Sequence, residues 1–430
     1  MTVRVAPPEA APVRLHPQPP YRFFEVTGFE LEYAVVDREL RAQCLVEDAF
    51  RTLHGRPTSD VVCEDVGFSN ELAAHVFELK TLAPAATLEA AEIALVRGVR
   101  RFQAVLREHY DARLLPTGMH PLMHPRETQL WRRSARAIYD TYARLFDIHE
   151  HGWLNVQSCQ VNLPFGNEAE TMALHDAIAC LLPYLPALAA STPIVEGRPG
   201  PSLCNRMEFY KANQRRIPEI AGHIVPEHVE SYAEYRTRIL EPMYRAVGQY
   251  EDTARLQHDF LNSRGAILRF DRSAIEIRVV DLQECVRMDV AIAVFVRRAL
   301  QHMVRLLQEE RLRLPEHGML VQDFDACVSR GRAAMVDASH LCAAAGYRPG
   351  CATGQTALLL LLDFAHAGSE PADVPYLRLV EDRVRRGNLA ELILRATAVE
   401  RRDASEARAA IVRVYDELAG CLERNEPWVL

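Results

Sequence analysis

This 430-residue chain lacks closely spaced cysteines. Its ten thiols, at Cys44, Cys63, Cys159, Cys180, Cys204, Cys285, Cys327, Cys342, Cys351 and Cys421, contain no C-x-x-C and no zinc-type spacing. That excludes a zinc ribbon and a dithiol redox motif, and scattered thiols in so long a chain predict a reduced, cytoplasmic protein. Long hydrophobic runs are also missing. The most apolar, residues 357–362, is far too short to cross a bilayer, so no membrane partner is expected. Residues 1–20 carry Pro7, Pro8, Pro12, Pro17, Pro19 and Pro20 without an apolar signal core, and predict a flexible lead-in rather than a targeting peptide. Positive charge is not in excess. A net charge of -8 argues against a general nucleic-acid surface, so any phosphate site must be local. No internal repeat stands out, and no Ser/His or Cys/His arrangement suggests a covalent nucleophile.

What is present is the composition of a soluble globular protein, 49% hydrophobic and 25% charged. The length exceeds what one hydrophobic core usually serves. The chain divides by pattern into the lead-in 1–20, a mixed unit 21–295, and a helical region 296–430 packed on it. The mixed unit is organised around residues 23–36, FFEVTGFELEYAVV, which alternate as a strand. Glu30 and Glu32 share one face, and Phe29, Leu31 and Tyr33 share the other. Two carboxylates ~4 Å apart repel by about 4 kcal/mol at an effective dielectric of 20, so a rigid Glu-x-Glu pair wants a cation such as Mg²⁺. Taken alone, the pattern better suits a half-buried strand with a solvated face.

Three later stretches repeat this logic. Residues 70–81 end as a strand with Phe77 and Leu79 on one face and Glu78 and Lys80 on the other, and a hairpin or bulge would bring Glu71 back toward Glu78. Residues 154–165 alternate with Ser158, Gln160 and Asn162 on one side and Cys159, Val161 and Leu163 on the other. Residues 265–281 read as two strands around a turn at 271–273, with Glu276 and Arg278 sharing a polar face, an arrangement that also suits a surface ion pair. Helices are predicted at 37–48, at 87–110 with Thr87 as N-cap, at 134–146, at 168–190 disturbed by Pro183 and Pro186, and at 290–310, 326–345, 355–367, 375–386 and 404–424. His120 and His124 are flanked by prolines, which favours a loop at a cleft mouth over a helical metal site.

Glu30-Leu31-Glu32, Glu78-Leu79-Lys80-Thr81, Gly118-Met119-His120-Pro121, the strand Ser158 to Leu163, and Glu276-Ile277-Arg278 occur in an order that resembles glutamate-cysteine ligase family 2. The resemblance implies an α+β fold like that of glutamine synthetase: a curved, mainly antiparallel sheet forming the active-site cleft, helices outside it, and a helical C-terminal region. It implies ATP and Mg²⁺ as cofactors, with Glu30, Glu32, Glu78 and Glu276 as metal residues and Glu71 as a further candidate. Glu276 and Arg278 take catalytic roles, and Arg278, Arg269, Lys80, Gln160 and Asn162 nucleotide contacts. Arg206, Asn162 and His120 take substrate contacts. Many relatives carry a histidine in the strand where Gln160 and Asn162 stand, so metal ligation there is not carried over. The implied function is a carboxylate-amine ligase that joins a small acid, glutamate foremost, to an amine through an acyl phosphate. A homo-oligomer is compatible with it. A phosphotransferase on the same sheet and a silent nucleotide or amino-acid sensor are the alternatives.

Overall fold

The computed structural model describes residues 20–133, 136–250, 256 and 258–430, so all of the expected lead-in except Pro20 lies outside the described residues. An eight-stranded antiparallel sheet forms the centre. Its strands are β1 Gly28–Val36, β2 Asp60–Cys63, β3 Val66–Asn70, β4 Val76–Thr81, β5 Arg113–Leu115 and β6 Ser158–Pro164, followed, after a small separate hairpin of β7 Ile194–Val195 and β8 Arg198–Pro199, by β9 Ala266–Arg269 and β10 Ala274–Asp281. The order is β2-β3-β4-β1-β6-β10-β9, with β5 pairing the end of β1. Strict apolar alternation sends Phe29, Leu31, Tyr33, Phe77, Leu79, Val161, Leu163, Ile275 and Ile277 into one core.

Helices cover that apolar face. Leu88–Tyr110 forms as expected, and the Thr87 hydroxyl accepts from the Ala90 N–H at 3.2 Å. The described part of the helix expected at 134–146 is Arg136–Leu145. The prolines split 168–190 into a helix at Glu168–Leu181, a 3-10 turn at Leu182–Tyr184 and a helix at Leu185–Ala189. Glu168–Ala189 is long and apolar enough to cross a membrane by composition, yet 89% of that window is buried within the fold.

Two helix expectations are corrected. Within 37–48 the chain turns instead, because the Asp37 carboxylate accepts from the Glu39 and Arg41 N–H groups and Leu40 sits at φ 59, and the helix begins only at Val46. In place of one helix over 326–345 there are two, His317–Arg330 and Ser339–Ala344, separated at Gly331, whose φ of 56 and ψ of -131 only glycine adopts readily. A helix missed from the sequence, Leu389–Thr397, opens on an Asn388–Glu391 capping box. The division drawn at 295/296 falls inside the helix Val286–Gln308, which packs on the helices beneath the sheet and on Gly354–Ala367 and Val374–Arg386.

Candidate active site

Strand order gathers the polar residues. β1 lies between β4 and β6, and β6 lies between β1 and β10. Glu32 stands opposite Glu78, Glu30 stands opposite Lys80 on one side and Gln160 on the other, and Asn162 stands opposite both Gly28 and Glu276. Directly opposed residues share a face, so Glu30, Glu32, Glu78, Lys80, Gln160, Asn162 and Glu276 form one polar surface behind which the core is packed. Arg278 follows Glu276 at a register shift between Ile277 and Val280, where the bulge alters the aim of its side chain.

Each carboxylate on this surface leans on a partner. Glu78 Oε1 accepts from the Ser69 hydroxyl at 2.7 Å and from Lys80 Nζ at 3.1 Å. Glu32 accepts from the Ser158 N–H at 2.7 Å and from Gln160 Nε2 at 3.0 Å. Glu30 Oε1 accepts from Arg272 Nη1 at 2.6 Å. Glu276 Oε2 accepts from Arg269 Nη1 at 2.6 Å. Arg278 Nε lies 2.8 Å from Glu276 Oε1 but out of line for a hydrogen bond, which leaves that oxygen buried without a donor.

The crowding shows in proton affinities. Burial, then the Glu78 charge, raises the Glu30 pKa against the pull of Arg272. Burial also raises Glu32, although the Ser158 N–H and Arg206 oppose it. Glu71, brought back by the β3–β4 hairpin, is pushed well up by burial and then by Glu32, Glu78 and Glu30. A cation among these groups would relieve all three shifts.

Among the described residues, no three Asp, Glu, His or Cys side chains converge closely enough to enclose a metal. The donor set nonetheless fits a hard divalent cation, since it is all oxygen, and Glu276 Oε1, Gln160 Oε1 and Asn162 Oδ1 are buried without hydrogen-bond partners. Beside Glu30 a cavity of about 430 Å³ opens between Val26, Leu82 and Pro164, with Lys80, Asn162 and Arg272 on its polar side. A side chain at Gly28 would place its Cβ 3.2 Å from Asn162 Cβ, so glycine keeps this wall open.

Two residues expected to contact substrate are buried on protein partners. Arg206 is 3% exposed, with Nε on Asp281 Oδ1 at 2.6 Å and Nη2 on the Arg278 carbonyl at 3.2 Å. It braces the bulge that carries Arg278. His120 is fully buried; its Nε2 is 2.6 Å from the Leu40 carbonyl, and its Nδ1 accepts from the Leu122 and Met123 N–H groups. Burial holds its pKa down, at about 4, and no ring nitrogen remains for a substrate. The polar residues missed from the sequence are Ser69, Arg272 and Asp281. Ser69 lies cross-strand from Glu78 on β3, a strand the sequence reading did not identify, and Arg272 lies in a turn that reads only as a connector.

The sequence model of glutamate-cysteine ligase family 2 matches residues 26–417. An uncharacterized protein of Archaeoglobus fulgidus is 33% identical over 405 residues, covering 94% of this chain and 100% of that one. Among solved structures, a glutamate–cysteine ligase from Francisella tularensis in complex with AMP superposes with a TM-score of 0.61 at 14% identity, covering 94% of this chain and 95% of that one. A bifunctional glutathione synthetase from Pasteurella multocida gives 0.58 at 14% identity, covering 91% of this chain and 52% of the other.

Proposed function

This chain belongs to glutamate-cysteine ligase family 2, and from that premise we propose that it is an ATP- and Mg²⁺-dependent carboxylate-amine ligase of the cytoplasm, taking a small acid, glutamate foremost, and a small amine. The observation that carries the proposal is the single sheet face on which Glu30, Glu32, Glu78 and Glu276 gather with Arg278 beside them. The AMP held by the Francisella ligase supports an adenine nucleotide as the energy source.

A free carboxylate is a poor acylating agent, because oxide would have to leave. Transfer of the γ-phosphoryl of ATP to one carboxylate oxygen breaks the bridging P–O bond, releases ADP and forms an acyl phosphate. The lone pair of the amine then attacks the acyl carbon, inorganic phosphate departs with that oxygen, and the amine loses a proton to solvent as the amide forms. The protein's part is positioning and charge neutralisation. Glu30, Glu32, Glu78 and Glu276, with Glu71 at their edge, would hold Mg²⁺, which supplies counter-charge to the triphosphate. Arg278 and Arg269 donate to phosphoryl oxygens, Lys80 adds a fixed positive charge, and the amides of Gln160 and Asn162 orient what lies between them. No side chain is acylated.

Acid labelled with ¹⁸O in its carboxylate tests the order of chemistry. With ATP, Mg²⁺ and amine present, label should move into released phosphate in step with amide. Amide without labelled phosphate would exclude the acyl phosphate. A stable phosphorylated acid with no amide would indicate a phosphotransferase, and nucleotide binding with neither product would indicate a sensor.

A further inference from the structure

The turn between β9 and β10 puts a guanidinium where the proposed reaction needs a metal. Arg272 Nη1 donates to Glu30 Oε1 at 2.6 Å across 242 positions of sequence. Glu30 is nearly buried and faces the Glu78 charge, so a cation beside it lowers the cost of its ionised form whether or not a metal is bound. Arg272 is also the most exposed of the cations paired to these glutamates, with 44% of its side chain open against 31% for Lys80, 22% for Arg278 and 14% for Arg269. Of its further acidic neighbours, Glu276 acts on it across the site and Asp271 Oδ2 is 3.7 Å away in the same turn. Arg272 lines the cavity beside Glu30 together with Lys80 and Asn162, so rotation away from Glu30 keeps it in the same space.

We propose, resting on the ligase function above, that Arg272 is a placeholder cation: it neutralises Glu30 in the metal-free site, yields that carboxylate to the divalent ion, and turns to the phosphates of the nucleotide. A guanidinium and a divalent ion compete for the same oxygen, whereas a guanidinium and a polyphosphate attract through paired N–H donors. Arg272 therefore weakens metal binding before nucleotide arrives and strengthens nucleotide binding afterwards.

Mn²⁺ affinity without nucleotide, read from the electron paramagnetic resonance of the free ion, and affinity for a non-hydrolysable ATP analogue with Mn²⁺, read by calorimetry, test the two halves. Arg272→Gln should bind Mn²⁺ about ten-fold more tightly than wild type and the analogue about ten-fold more weakly, the scale of one charge-assisted hydrogen bond. Arg272→Lys, which keeps charge without the fork, should leave Mn²⁺ affinity near wild type and still weaken the analogue. Arg402→Gln, the same charge change at an exposed position outside the cavity lining, should move neither. Wild-type Mn²⁺ binding that Glu30→Gln abolishes but Arg272→Gln leaves unchanged would overturn the placeholder alone. Mn²⁺ taken up neither by wild type nor by Arg272→Gln, or taken up by wild type as well after Glu30→Gln, would overturn the placeholder and the proposed metal role of Glu30 together.

Discussion

Replacing Arg278 with lysine separates charge from geometry at the centre of the site. In the structure the guanidinium Nε lies 2.8 Å from Glu276 Oε1, and Nη1 donates to the Asn262 carbonyl at 3.1 Å. The backbone at 278 is secured without the side chain, since its N–H donates to the Gly265 carbonyl at 2.8 Å and its carbonyl accepts from Arg206 at 3.2 Å. Burial works against charge on Arg278, but the facing groups, Glu276 foremost, outweigh it and raise its pKa, and the same carboxylates would favour the charged form of a lysine there. A lysine ammonium is a compact point charge and cannot present a planar fork of parallel N–H groups to a phosphoryl. Losing one charge-assisted hydrogen bond in the transition state costs about 1.5–3 kcal/mol, which is roughly a 10- to 150-fold fall in kcat. Nucleotide affinity, measured by calorimetry with a non-hydrolysable analogue, should fall by less than about three-fold, and thermal unfolding should confirm the intact fold. ADP release under saturating acid and amine is the rate assay. An unchanged kcat, or a loss of affinity as large as the loss of rate, would remove Arg278 from transition-state stabilisation.

Asp281 is fully buried and accepts from the Ser191 N–H at 2.9 Å, Thr192 Oγ1 at 3.0 Å and Arg206 Nε at 2.6 Å. Asp281→Asn leaves Arg206 buried and unpaired, so urea unfolding should show a loss of about 3–5 kcal/mol, and a loss below about 1 kcal/mol would mean that the pair does not hold the bulge. His175 is buried, neither ring nitrogen has a hydrogen-bond partner, and burial brings its pKa down to about 4. Its unfolded value is near 6.5, so the unfolded chain takes up a proton that the folded one refuses. The penalty is absent above pH 6.5 and grows as pH falls toward 4, reaching roughly 2–3 kcal/mol. His175→Leu should flatten the pH dependence of stability across that window, and an identical slope in urea titrations would refute the assignment.

Much of the site could be read from the chain because a strand writes its two faces into alternate residues. The sharing of a face by Glu30 with Glu32, by Glu78 with Lys80, by Gln160 with Asn162, and by Glu276 with Arg278 follows from period two alone, and each apolar partner set is found in the core. The helix at Leu88–Tyr110 was equally legible, because its apolar period and its Thr87 cap lie within one continuous segment. Boundaries failed where a side chain or a glycine redirected the backbone, as Asp37 does after β1 and Gly331 does after His317–Arg330.

Alternation cannot say which strands are neighbours. Only the tertiary structure decides that β6 lies between β1 and β10, which places Asn162 next to Glu276 and gathers four separate polar stripes into one surface. The same holds for every long-range partner: Arg272 on Glu30, Arg206 on Asp281, and His120 closed over the Leu40 carbonyl. Residue type told that these side chains could carry charge or chemistry, but burial and spatial neighbours assign them to the site or to its support. Those are properties of strand order and packing, which no local pattern in the sequence encodes.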